Sequence, residues 1–311
     1  MSSLGNGGDA LMVLPPDFTA PRTHLALRFP PLGPAVVAAC AFELGLRFRA
    51  VDLVIELERE PLAHDGAALA DAARVERYLA GAPDPSIEAA LDELAARIER
   101  AGGHAPTVAI SVDRGSQLAA AAALSVELKR RWGARIIAGG VSMPSLRALL
   151  ERTGARGADV VTTASSPPQI ARAFRVLAEL PIERLEAPVE PNDELVTLVR
   201  GGFRAAPSPE GWPLPDFSIY ELAHYRRDPL QAEGAAPADS SPLGPSLALP
   251  YFFSFECQFS CAFCQTGGTQ EAKPPDRVVR ELATLAERWN TTEFVLFDTQ
   301  INLHAEGSRA P

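Results

Sequence analysis

Three cysteines crowd into eight residues of this chain as Cys257-x-x-x-Cys261-x-x-Cys264. Thiolates are soft ligands that favour iron–sulfur clusters or zinc. Three of them on a four-iron cube leave one iron without a protein ligand, an open corner where a small molecule can be bound and activated. Structural zinc is almost always four-coordinate and needs another donor. His304 is the only histidine downstream of the cysteines, so a zinc scaffold would use Cys257, Cys261, Cys264 and His304. Disulfides do not fit a chain of 311 residues with four cysteines, three of them crowded together.

The other reactive side chains read as structural. Cys40 lies in an Ala/Val-rich segment and reads as a small core residue. His24, His64, His104 and His224 stand apart, with no ligand spacing between any pair. Lys129-Arg130-Arg131 ends a predicted helix, where cations favour the dipole.

Ligands at this spacing need a frame, and the surrounding pattern predicts one. Short apolar runs at Leu11 to Leu14, Arg49 to Ile55, Val108 to Val112, Arg135 to Ala138 and Asp159 to Thr163 read as strands. Helical spacing between them covers Pro34 to Leu46, Ile87 to Ala101, Gln117 to Trp132, Ser145 to Arg152 and Pro168 to Leu180. That alternation predicts βαβ units and a Rossmann-like, doubly wound parallel sheet over residues 10–189. Residues 1–9 are Gly/Ser-rich and predicted to be disordered. Eleven of the 28 prolines fall between Pro188 and Pro250, which predicts a linker over 190–246, with Trp212, Phe217, Tyr220 and Tyr225 packed on something. The α/β rhythm restarts over 247–311. A strand at Leu247 to Phe255 leads into the cysteine loop, a helix follows at Pro275 to Trp289 with Val278, Val279, Leu282, Leu285 and Ala286 on one side, and Phe294 to Phe297 reads as a strand ending at Asp298.

The run Phe255-Glu256-Cys257-Gln258-Phe259-Ser260-Cys261-Ala262-Phe263-Cys264 resembles the cluster loop of radical S-adenosylmethionine (SAM) enzymes, including the aromatic before the last cysteine. The resemblance implies a 4Fe–4S cluster on Cys257, Cys261 and Cys264, with SAM on the fourth iron. It also implies an electron donor such as a flavodoxin or ferredoxin. Asp298 falls where such enzymes contact SAM. The N-terminal half resembles the cobalamin-binding domain of one radical SAM class through Pro30-Pro31-Leu32-Gly33, Ala50-Val51-Asp52 and Ile137-Ala138-Gly139-Gly140, and Pro215-Asp216-Phe217-Ser218 through Tyr225 resembles its linker. By that resemblance the corrin would lie across the strand ends, touched by Ser111, Asp113, Gly139, Gly140, Thr162 and Ser165. The chain departs from the pattern in two places. It has no Asp-x-His-x-x-Gly stretch, and Thr-Thr-Ala-Ser-Ser-Pro replaces a Gly-Glu-rich turn.

The implied activity is radical chemistry, such as methyl transfer to an unactivated carbon of a small molecule or peptide. An eight-unit barrel takes about 250 residues, whereas 65 residues run from Leu247 to the C-terminus. The sequence therefore predicts only the first βα units of a TIM-like radical SAM barrel, too little to complete catalysis alone. The alternative is a non-catalytic corrinoid- or partner-binding module with a vestigial cluster domain. A net charge of −10 argues against a nucleic-acid binder. No apolar run has the length of a membrane helix and no signal peptide opens the chain, which predicts a cytoplasmic protein without a membrane partner.

Overall fold

Runs rich in Val, Ile, Leu and Ala form parallel strands buried on both faces, as the sequence predicts. The computed structural model describes residues 10–19, 29–140, 143–162, 171, 173–174, 211–226, 246–255 and 271–297. Within them, β1 (Ala10–Leu14), β2 (Phe48–Asp52), β3 (Thr107–Val112), β4 (Arg135–Gly140) and β5 (Val160–Val161) form one sheet in the order β2-β1-β3-β4-β5. Every neighbouring pair is parallel. This is a Rossmann-like α/β architecture, and its order reverses between β1 and β3.

Alternation along β1 divides the core. Leu11 and Val13 face α4 (Pro85–Gly102), α5 (Leu118–Trp132) and α6 (Met143–Thr153), while Met12 and Leu14 face α1 (Leu32–Glu43). Helix α4 begins where Asp84 accepts from the Ser86 and Ile87 N–H groups, with Pro85 in its first turn. Cys40 is buried in α1, as predicted, and burial pushes its thiol up to about 12.

The strand expected over Arg49 to Ile55 is shorter. It stops at Asp52, whose carboxylate accepts from Val54 and Ile55 N–H and turns the chain into α2 (Leu53–Arg59). Helix α3 (Ala72–Leu79) is short, with only Val75 fully buried, and escaped the periodicity; Asp71 caps it, and Arg74 ties it to Asp84. The basic run does more than favour a dipole. Lys129 pairs with Asp159, Arg130 with Glu127, and Arg131 with Glu127 and Asp92, so the run clamps α5 to its neighbours.

The predicted Leu247 to Phe255 strand divides in two. Strand β6 (Ala248–Tyr251) pairs in parallel with β9 (Glu293–Leu296), across α7 (Pro275–Trp289). Strand β7 (Ser254–Phe255) pairs antiparallel with β8 (Glu271–Ala272). On α7, Val278, Leu282 and Leu285 pack inward, but Val279 is 66 % exposed while Glu281 is buried. A helix turns 100° per residue, so Glu281, three beyond Val278, shares the inner face that Val279 leaves.

The stretch at 211–226 is packed against both parts of the chain. Trp212, Phe217, Tyr220 and Tyr225 are buried in the core that also holds α1, Tyr251 and Leu285. Asp216 N donates to Ala35 O at 2.9 Å, and Arg277 Nη2 donates to Trp212 O at 3.0 Å. Among the described residues no helix is long and apolar enough to cross a membrane.

Candidate functional site

In an open parallel sheet, ligands meet the carboxyl ends of the strands. Register brings several predicted site residues together at those ends. Ser111 lies opposite Gly139 and Val112 opposite Gly140 across β3 and β4, while Thr162, just past β5, donates its N–H to Ala138 O at 2.9 Å. A Cβ on Gly139 would stand 3.2 Å from Thr162 Cγ2. Gly140 has φ +113°, and a Cβ there would fall 2.2 Å from Val112 O, so the sheet itself demands glycine at this position. The result is an exposed, bare stretch of backbone at Gly140, flanked by the small side chains of Ser111 and Thr162.

Beside this platform stands a group the sequence did not reveal as a unit. Asp52 Oδ2 accepts from Tyr225 Oη at 2.7 Å, while Oδ1 accepts from Val54 and Ile55 N–H at 3.0 and 3.4 Å. Enclosure raises the Asp52 carboxyl above its usual range, against the pull of Tyr225 and the two N–H groups. Asp113 keeps contact with solvent, yet crowding at the strand ends and the nearby charge of Asp52 push it up to about 6, against Arg114 and Ser111. Tyr220 donates to Pro31 O at 2.9 Å, and its ring meets that of Tyr225 edge-on with centroids 5.6 Å apart. Burial and the two acids raise both phenols. A carboxyl titrating near 6 can give or take a proton close to neutrality.

A cavity of about 600 Å³ opens along the outer side of β2, lined by Arg49, Asp52, Glu56, Arg97, Tyr220 and Tyr225 among others. Of the predicted contact residues that are described, Ser111, Asp113, Gly139, Gly140 and Thr162, none lines it. The tyrosine-bearing segment lies more than 150 residues beyond β2 in sequence, and only folding makes it a wall of this cavity.

The frame of the cysteine loop is built from a second set of buried groups. Ser254 pairs with Ala272 and Phe255 with Glu271, and Lys273 N donates to Phe253 O at 2.8 Å. The chain thus leaves and re-enters this unit across a short ladder, just after β6. Beneath it, Lys273 Nζ lies 2.8 Å from Glu281 Oε2, Tyr251 Oη donates to the same oxygen at 2.6 Å, and Arg277 Nε donates to Oε1 at 2.6 Å. Lys273 also lies 4.7 Å from the centroids of both the Tyr251 and Phe252 rings. Despite burial, these donors hold the Glu281 carboxyl below its usual range.

Cys257, Cys261, Cys264, Asp298, His304 and Ser165 lie outside the described residues, as do residues 1–9 and most of 190–246. Among the described residues, no group of three His, Cys, Asp or Glu side chains is arranged to hold a metal ion. The donor chemistry of the cysteine triplet itself fits an iron–sulfur cluster, three soft thiolates within eight residues. The bare backbone at Gly139-Gly140, beside the Ser111 hydroxyl, fits the approach of a flat ligand carrying amide groups. No protein-family model matches this chain, and no curated protein matches its sequence.

Proposed function

We propose that this chain is a cobalamin-dependent radical SAM protein of the cytoplasm, with a corrinoid on the five-stranded sheet and a 4Fe–4S cluster on Cys257, Cys261 and Cys264. One observation carries the reading. The cysteine triplet falls in the excursion between β7 and β8, just beyond a strand of a βαβ unit, in a chain whose other sheet gathers Ser111, Gly139, Gly140 and Thr162 at its carboxyl ends. When bound, the cluster with SAM supplies radical chemistry, and the corrinoid a methyl group for an unactivated carbon of a small molecule or peptide.

The chain's own residues do the rest. The thiolates hold the cluster, and the ladder at Ser254–Ala272 fixes where their loop begins and ends. Gly139 and Gly140 let a flat ligand reach backbone, and the half-buried Ser111 hydroxyl beside them offers a hydrogen bond to its amides, while buried Thr162 packs against Gly139. Asp113, at the rim, exchanges a proton near neutral pH.

Anaerobic iron–sulfur reconstitution tests this. The reduced protein should give an electron paramagnetic resonance signal that changes on addition of SAM and disappears in Cys264→Ala. Silence with and without SAM would overturn the enzyme reading. Stoichiometric zinc without iron or sulfide would replace it with the zinc scaffold. A colourless protein that retains cobalamin would replace it with the non-catalytic module.

A further inference from the structure

Doubly wound sheets offer their deepest slot where strand order reverses, here between β1 and β3. In this chain the loops flanking that point are stapled together. Gln117, 4 % exposed, donates Nε2 to Pro15 O at 2.7 Å and accepts the Asp113 and Arg114 N–H groups on Oε1, both at 3.0 Å. Ser116 Oγ donates to Asp17 Oδ2 at 2.9 Å, and Arg114 Nη1 stands 3.5 Å from the same oxygen. Asp17 is itself enclosed, its side chain 3 % exposed. Three of the four hydrogen-bonding capacities of the Gln117 amide are thus spent: two fix its own loop through Asp113 and Arg114, and one ties that loop to Pro15.

Outside this closure, the ends of β3 and β4 stay open at Gly139 and Gly140. A cobalamin has two parts to accommodate, a flat corrin ring and a nucleotide tail ending in a bulky aromatic base. We infer that this chain holds only the ring, on the ends of β3 to β5, and that Gln117 denies the tail a slot at the switch point. The inference rests on the corrinoid reading above and adds the ligand's subclass: a corrinoid recognised without regard to its tail.

The test is equilibrium dialysis of the full chain against cobalamin and against cobinamide, which lacks the nucleotide and base. A base of indole size covers about 150–250 Å² when buried, which corresponds to about 100-fold or more in affinity. The expected result is two dissociation constants within about threefold of each other, far below that burial effect. Cobalamin binding about 100-fold tighter would overturn this inference and leave the corrinoid reading standing. Binding of neither would overturn both. Gln117→Ala removes both the staple and the volume that fills this point and should open a preference for cobalamin of about tenfold. A folded Gln117→Ala protein, judged by circular dichroism, that shows no such preference would overturn the role of Gln117. Where that variant fails to fold, the wild-type ratio decides alone.

Discussion

Two enclosed carboxylates, one in each sheet region, have opposite electrostatics. Asp52 ends β2 among neutral donors, and burial, with the charge of Glu56 nearby, raises its carboxyl. Glu281 sits on the inner face of α7 against Lys273, Arg277 and Tyr251, and its carboxyl is lowered. Burial raises both; only the partners differ. Charge compensation makes Glu281 a strut that ties α7 to Lys273, next to the β7–β8 ladder. Leaving Asp52 and Asp113 without comparable cations keeps a titratable pair at the mouth of the Rossmann-like sheet, the pattern of a site more than of a scaffold.

The largest effect expected from breaking this contrast is at Glu281. Glu281→Ala removes the carboxylate that faces Arg277, Tyr251 and Lys273, the last with its side chain 1 % exposed, and should cost about 3–5 kcal/mol in urea unfolding. Replacing both partners, Lys273→Met with Glu281→Leu, should recover part of that loss, because the buried ammonium goes with the carboxylate, although Tyr251 and the partly exposed Arg277 still lose this acceptor. A double variant as unstable as the single one would sink the strut assignment.

Next is Gly140→Ala, which places a Cβ at a positive φ and against Val112 O. It should cost about 1–3 kcal/mol in the same unfolding assay and disturb the end of β4. Gly139→Ala meets only Thr162 Cγ2, a side-chain methyl, and should cost less. Tyr225→Phe removes one hydrogen bond to Asp52 and should cost about 1 kcal/mol, with the carboxyl of Asp52 titrating higher still by NMR.

The smallest effect is a slope against pH. Asp113 titrates near 6 in the folded chain, above about 3.9 when unfolded. The native state therefore binds more protons between those values, and stability falls as pH rises through that window. Asp113→Asn should flatten the slope, modestly because the group contacts solvent. Glu281 runs the other way: its lowered carboxyl contributes stability above its unfolded pKa and loses it as acid is added. Unfolding midpoints measured from about pH 2 to pH 8 in Asp113→Asn and Glu281→Ala would separate the two signs.

Much of the fold was legible because burial writes periodicity into sequence. Leu11 to Leu14, Val108 to Val112 and the α4 stripe of Leu91, Leu94, Ala95 and Ile98 all sit in the core. Where a polar residue does the local work, the pattern misled. Asp52 turns an apolar run into a helix, and Asp71 starts a helix with only Val75 buried. Glu281 was hidden for the same reason, since an acid on an inner helix face is invisible until its cation is known. At the candidate site, the glycines and Ser111 stood out by type and position, whereas Tyr225 read only as a packed linker aromatic and Gln117 only as the start of a helix, with nothing to show that they would meet Asp52 and Pro15.

The amino-acid sequence by itself determined the soft-ligand character of the cysteine triplet and the alternation of strands with helices, since both depend on residues near one another along the chain. Tertiary structure alone decided the strand order, and with it the reversal between β1 and β3. It also joined Tyr225 to Asp52 across 173 positions and Gln117 to Pro15 across 102. Local patterns record which side chains avoid water. They do not record which distant partner will satisfy a buried polar atom, because that depends on how the packed elements close on one another.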